Sequence, residues 1–227
     1  MTVLVRLRRL LRLLALGAAG LAALFVLLLV LWRFVPPVSV PMAARWVMGE
    51  RVERVWRPLS SVDRDLVVAV IASEDTGFCR HHGIDWNELI DVIDDEDGPK
   101  RGGSTLTMQV TKNLFLWSGR SYVRKAIEIP LALVVDLVWP KRRIFEIYLN
   151  IAEWGPEGEF GIEAGSRRAF GHGAERAAPA EAALLAVTLP NPHRRNPARP
   201  SAGLRRVAGI IAARAANSPE VADCIAK

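Results

Sequence analysis

A mainly α-helical domain behind one N-terminal transmembrane helix is the fold class this sequence predicts, and three observations predict it. Residues 13–32 form a twenty-residue run without a charge. Apolar side chains then recur at helical spacing in successive segments up to residue 215. Finally, 227 residues leave room for an anchor and one domain of about 150–200 residues, but not for a large second enzymatic domain.

The apolar run comes first. At about 1.5 Å per residue, a helix over residues 13–32 spans a hydrocarbon layer of roughly 30 Å. Arg6, Arg8, Arg9 and Arg12 precede it, so the positive-inside rule places the basic residues 1–12 in the cytoplasm and everything after Trp32 outside it. The stretch Trp32-Arg33-Phe34-Val35-Pro36-Pro37 lacks the small-x-small pattern of a cleaved leader. Residues 33–44, with Pro36, Pro37 and Pro41, read as a stiff linker because proline interrupts helix continuation. The domain is expected over residues 45–227.

Charged and apolar residues alternate over 50–57, as in a short strand or an extended entry segment. Ser61 or Asp63 can cap a helix that carries the apolar run Leu66–Ala72. Helical periodicity then returns over residues 86–93, 105–115, 122–129, 141–152, 161–170, 179–189 and 202–215. The acidic stretch Asp94–Pro99 and the proline-rich stretch Pro190–Pro197 read as loops.

Charge narrows the function. The formal net charge is +6, but five of the thirty Lys and Arg residues lie in the first 33 positions, leaving 25 basic against 24 acidic residues beyond them. A near-neutral domain argues against general nucleic-acid binding. Cys79 and Cys224 are the two cysteines, and their distance in sequence makes two isolated thiols the expectation. Gly-x-Ser-x-Gly, P-loop, Gly-x-Gly-x-x-Gly, His-Glu-x-x-His and Ser-x-x-Lys motifs are all missing.

Three segments carry candidate chemistry. EDTGFCRHHG, residues 74–83, follows the apolar run. Burial at such a helix end raises a carboxylate's pKa and suits Glu74 to proton transfer, while a polar helix end or a metal cluster with Asp75, His81 and His82 are the competing readings. Arg101-Gly102-Gly103-Ser104-Thr105 then feeds a helix on which Thr105, Gln109, Lys112 and Asn113 share a polar face. A glycine turn at a helix start suits an anion, and an N-capped surface helix is the plainer alternative. In the third, Arg120, Arg124 and Lys125 stand one turn apart or adjacent, with Glu128 four residues after Arg124. They make either a solvated helix pair or a cationic stripe for pyrophosphate. The segment Lys141–Asn150 reads as architectural, with Ile144, Ile147 and Tyr148 facing the core.

In this order, EDxxFxxHxG, GGSTxxxQxxKN, RKxxE and KxxxxExYLN resemble the leading motifs of glycosyltransferase family 51, the peptidoglycan polymerases that act on lipid II. The resemblance covers about residues 45–200, and LPNPHRRNP with WPKRR is similar to its monofunctional members. It implies a lysozyme-like domain facing the membrane, here the inner membrane with a periplasmic domain. Glu74 would then be the base that takes the proton from the acceptor sugar's 4-hydroxyl, and Glu128 a second catalytic acid that orients cations. The resemblance further implies that Asp75, Ser104, Thr105, Gln109, Lys112, Asn113, Arg120, Arg124 and Lys125 bind substrate. A divalent cation, Mg²⁺ by its preference for oxygen, would sit near Glu74 and Asp75. Expected partners are lipid II, the growing polyprenyl-linked glycan, the membrane and cell-wall synthesis or division proteins. Met108 replaces a glutamine frequent in the family, and Pro130 is expected to kink or shorten its helix. A lysozyme-like lytic enzyme and an inactive anchored scaffold are the alternatives.

Overall fold

The structure, a computed structural model, describes residues 2–94, 103–119 and 121–225, without the side chains of residues 2, 3 and 92–94. Arg120, Arg101 and the acidic residues 95–97 expected in a loop lie outside the described residues. The chain divides into two compact units, Met1–Pro36 and Pro37–Lys227. In the first, helix α1 (Thr2–Trp32) runs for 31 residues. Its segment Leu4–Trp32 contains an 18-residue stretch of mean hydropathy 2.8 and is long and apolar enough to cross a membrane.

The second unit begins with α2 (Val40–Val47), capped by the Ser39 side chain. A two-residue strand β1 (Glu53–Arg54) follows and pairs in parallel with β2 (Glu159–Phe160), in the register Glu53 to Glu159 and Arg54 to Phe160. Between them run α3 (Arg64–Glu74), α4 (Trp86–Asp94), α5 (Leu106–Phe115), α6 (Tyr122–Val138) and α7 (Lys141–Ile151). After β2 come α8 (Ile162–Phe170), α9 (Pro179–Ala186) and α10 (Ala202–Asn217), then a 3₁₀ segment Pro219–Ile225.

Helix α3 starts where Asp63 accepts the Asp65 N–H, and it buries every residue from Leu66 to Ala72. A helix buried all round belongs at the centre of a core. It packs against α9 and α10, while α5 packs against α6 and α7. The site therefore forms where two helix layers meet: α3 delivers its C-terminal end and α5 its N-terminal turn.

Two expectations need correction. Pro130 neither shortens nor ends its helix: α6 continues through it to Val138. The ring lies on the exposed side, while Glu128, Ala132 and Val135 bury the opposite face, so tertiary packing offsets the lost backbone bond. Cys79 and Cys224 are not isolated thiols; they form a disulfide across 145 residues of sequence, with Cα atoms 5.4 Å apart. The 3₁₀ segment makes this geometry by burying Val221, Ala222 and Ile225, which lays the chain's last described turn over the loop after Asp75.

Gly83 closes the EDTGFCRHHG loop with φ +79°, and a Cβ there would stand 2.8 Å from the Ala132 carbonyl oxygen on α6. Glycine alone fits that approach. Its own carbonyl accepts the Thr105 hydroxyl at 2.6 Å, so the loop, α5 and α6 are tied at one point.

Candidate active site

Glu74 is the last residue of α3 and is partly buried. Burial pushes its carboxyl above the usual carboxylate range, with Asp75 adding to the rise, while the Gln109 hydrogen bond, Arg195 and Lys112 oppose it. Gln109 Nε2 donates to Glu74 Oε2 at 3.1 Å. On the far side of that amide, the Tyr148 hydroxyl donates to Gln109 Oε1 at 3.4 Å. A phenol held as donor fixes which way the amide points, so Gln109 presents its NH₂ to the carboxylate. Burial holds the Tyr148 hydroxyl well above its ordinary pKa, helped by the charges of Glu74 and Asp75, which keeps it protonated for that task.

Asp75 turns inward instead. It is buried, its Oδ2 accepts the Leu106 N–H at 2.9 Å, and both carboxylate oxygens lie 3.0 Å from His81 Nε2. This bolts the first turn of α5 to the end of α3. Thr105 is likewise committed to structure: its Oγ1 accepts the Met108 N–H at 3.1 Å while donating to Gly83. The side chains of Asp75 and Thr105 therefore position the elements that carry Glu74 and Gln109.

A second charged group forms on α6. Glu128 is 2% exposed. It accepts from Arg124 Nη1 and, at 3.2 Å, from Lys125 Nζ. Lys125 Nζ also donates to Ser104 Oγ at 2.8 Å and lies 3.7 Å from Met108 Sδ. Met108 thus fills the core beside Ile84 and Ala132 and meets the lysine through sulfur, where a glutamine would have offered an amide. Lys112, on α5, responds to both groups. Burial depresses its pKa, Glu128 and Glu74 raise it, and Arg124 and Lys125 depress it further. Asn113 follows Lys112 on α5.

A cavity of about 460 Å³ opens at Glu74, lined also by Ser104, Gln109, Pro190 and Arg214. Of the residues expected from the sequence, Glu74, Asp75, Ser104 and Gln109 line it. Three residues that act on the site were not expected: Tyr148, whose hydroxyl on a core-facing stripe was the available signal, Arg195, which lies within LPNPHRRNP, and Arg214, for which no local pattern gives one. Glu146 and Asn150 are architectural, as expected: Glu146 accepts the Leu59 N–H at 2.9 Å and Asn150 brackets the Arg57 backbone. Among the described residues, no three His, Cys, Asp or Glu side chains come together as metal ligands.

A partly buried carboxylate beside a separate cation cluster is the arrangement suited to removing a proton at one point and meeting developing negative charge at another. Comparison with known proteins supplies the family. Residues 42–216 match the family model described as transglycosylase. Over 200 residues the chain is 54% identical to a biosynthetic peptidoglycan transglycosylase of Nitrobacter hamburgensis, covering 87% of this chain and 88% of that one. It is 52% identical over 200 residues to one from Rhodopseudomonas palustris, covering 87% and 84%. It is 50% identical over 194 residues to one from Brucella suis, covering 85% and 86%. The chain belongs to the transglycosylase family, and its mainly helical domain is lysozyme-like.

Proposed function

We propose that this protein is a peptidoglycan transglycosylase that polymerises lipid II into β-1,4-linked glycan strands. The observation that carries the reading is Glu74, its proton affinity raised by burial, opening into a cavity with its carboxylate aimed by Gln109 and Tyr148. Glu74 takes the proton of the acceptor sugar's 4-hydroxyl. The oxygen attacks the donor's anomeric carbon, the bond from that carbon to the pyrophosphate oxygen breaks, and configuration inverts. Polyprenyl pyrophosphate leaves, and the Glu74 proton returns to solvent. Lys112, Arg124 and Lys125 are the described cations suited to the leaving pyrophosphate, with Glu128 holding the last two in place.

Glu128 speaks against hydrolysis. An inverting glycosidase needs a second free carboxylate facing the first across a water, whereas Glu128 is committed to Arg124 and Lys125. A divalent cation would supply positive charge to the pyrophosphate; of the two residues expected to hold it, Glu74 opens into the cavity, while Asp75 already accepts from the Leu106 N–H and contacts His81, so Glu74 is the one that would offer it a carboxylate oxygen.

The anchor reading extends to the domain. The outer face of α6 exposes Tyr122, Val123, Ile127 and Leu137, with Trp117 just before it. We place this face on the membrane surface from which a lipid-linked substrate arrives. The domain is taken to be periplasmic; the positive-inside pattern and a disulfide that belongs in an oxidising compartment both support this.

The deciding experiment is polymerisation of lipid II by the full chain and by Glu74→Gln. Loss of strand synthesis with retained folding is expected. Normal synthesis by the variant would remove Glu74 as the base.

A further inference from the structure

Arg214 lies on α10, outside every motif in the sequence, yet it lines the cavity that holds Glu74. Its Nη1 donates to the Ala72 carbonyl oxygen at 2.9 Å. That carbonyl belongs to the last turn of α3, where the helix has no further N–H to offer it. One bond of this kind uses one of a guanidinium's five donors and leaves the others for a ligand. The residue is exposed, and it is the one cation among the described residues lining this cavity.

Position decides which ligand. In an inverting displacement the base attends the acceptor hydroxyl, and the leaving group departs from the opposite face of the anomeric carbon. The α6 cations, drawn together around Glu128, do not line the Glu74 cavity. A cation that shares the base's own cavity therefore stands on the acceptor's side. We infer that Arg214 binds the acceptor, its remaining N–H groups taking a carbonyl or carboxylate oxygen of the acceptor's disaccharide–peptide head group while the Ala72 bond holds the guanidinium still. The inference rests on the proposed polymerisation and adds to it a residue that selects the acceptor.

The test separates the two substrates, using full-chain protein, a preformed polyprenyl-linked glycan as donor and lipid II as varied acceptor. Arg214→Gln should raise the acceptor KM about tenfold, as expected for loss of one charge-assisted hydrogen bond. The donor KM, and kcat at saturating acceptor, should stay within about twofold, the margin of a residue that does not touch the reacting atoms. Arg214→Lys should fall between, because it keeps the charge and loses the planar fork. Acceptors with free and with amidated peptide carboxylates distinguish the group: a difference between wild type and variant that vanishes on amidation assigns a carboxylate, and one that persists assigns a carbonyl. An unchanged acceptor KM, or a fall in kcat accompanied only by a lower melting temperature, would reduce Arg214 to a helix cap and overturn the inference. Should wild type fail to extend lipid II at all, the proposed reaction falls instead. Binding of the soluble disaccharide–peptide then decides: about tenfold weaker binding by Arg214→Gln supports the contact, and equal binding removes it.

Discussion

Cys224→Ser removes the bond between the chain's last described turn and the loop that follows Asp75. The closed loop spans 145 residues, and the chain-entropy relation for such a loop gives about 5 kcal/mol at 25 °C, at the upper end of the usual 2–5 kcal/mol for a native disulfide. For a unit covering residues 37–227, each kcal/mol moves the melting temperature by about 2–4 °C, so a fall of about 4–20 °C is expected. Some attachment survives: Arg142 Nη1 still donates to the Ile225 carbonyl at 2.9 Å, and Val221, Ala222 and Ile225 stay buried. The assay is thermal unfolding of wild type, Cys79→Ser, Cys224→Ser and the double variant, each with and without reductant. Both single variants should melt alike, the double should add nothing, and reductant should move wild type alone. If oxidised wild type and the variants melt within about 2 °C of one another, the difference is no larger than that of a neutral surface substitution, and the loop-closure argument is refuted.

Four further outcomes follow from the same structure. Removing the Gln109 donor with Gln109→Leu withdraws an interaction that favours charged Glu74, so the acid limb of the activity–pH profile should move to higher pH, as read from initial rates across pH 5–9; an unmoved limb would separate Gln109 from the base. Burial makes charged Glu74 unfavourable at neutral pH, so Glu74→Gln should melt at or above the wild-type temperature near pH 7 while losing activity; a clear destabilisation would contradict the raised pKa. Glu163 is wholly buried; burial pushes its carboxyl up, but hydrogen bonds from Arg57, the Ala174 N–H and Arg167 hold it at about 2, below the ordinary 4.5. Its contribution of about 3 kcal/mol is present above pH 4.5 and lost as pH falls toward 2, so acid unfolding of Glu163→Gln should show a weaker dependence on pH through that window. Glu128→Ala leaves the partly exposed Arg124 and Lys125 without their buried partner and should cost about 1–3 kcal/mol, measured by urea unfolding, with Glu128→Gln losing less.

The helices were legible because their signals are local. Asp63 before a seven-residue apolar run and Thr105 before an amphipathic one announce the starts of α3 and α5, and both cap as those residue types should. What escaped the sequence is non-local. Whether Cys79 meets Cys224 depends on how the segment after α10 folds back, which no spacing encodes. Pro130 was expected to kink or shorten its helix because its missing N–H is a local cost; the burial of Glu128, Ala132 and Val135 that carries the helix on to Val138 is a tertiary gain. Leu114–Trp117 divides in the same way. Leu114 and Leu116 fill the core and Trp117 is 47% exposed, a division between two environments that the apolar run alone does not encode.

The adjacent acids at the head of the motif show why residue type alone does not separate the proposed base from its neighbour. Glu74 is still within α3, whereas Asp75, at φ −164° and ψ 78°, has left the helix. Both residues line the cavity, but that one-residue change of backbone leaves the first carboxylate with Gln109 and turns the second to His81 and the Leu106 N–H. Asp75 nevertheless acts on the chemistry at one remove: its fixed negative charge raises the proton affinity of Glu74, and its bond to the Leu106 N–H sets where α5 places Gln109, which lowers it. The proposed base is therefore tuned by two opposing contributions that share one anchor. A substitution at Asp75 alters both together, so a large loss of activity there is not evidence that Asp75 touches the substrate. Separating the two requires Asp75→Asn beside His81→Gln. The first removes the charge beside Glu74; the second leaves that charge in place and disturbs only the bolt that carries α5.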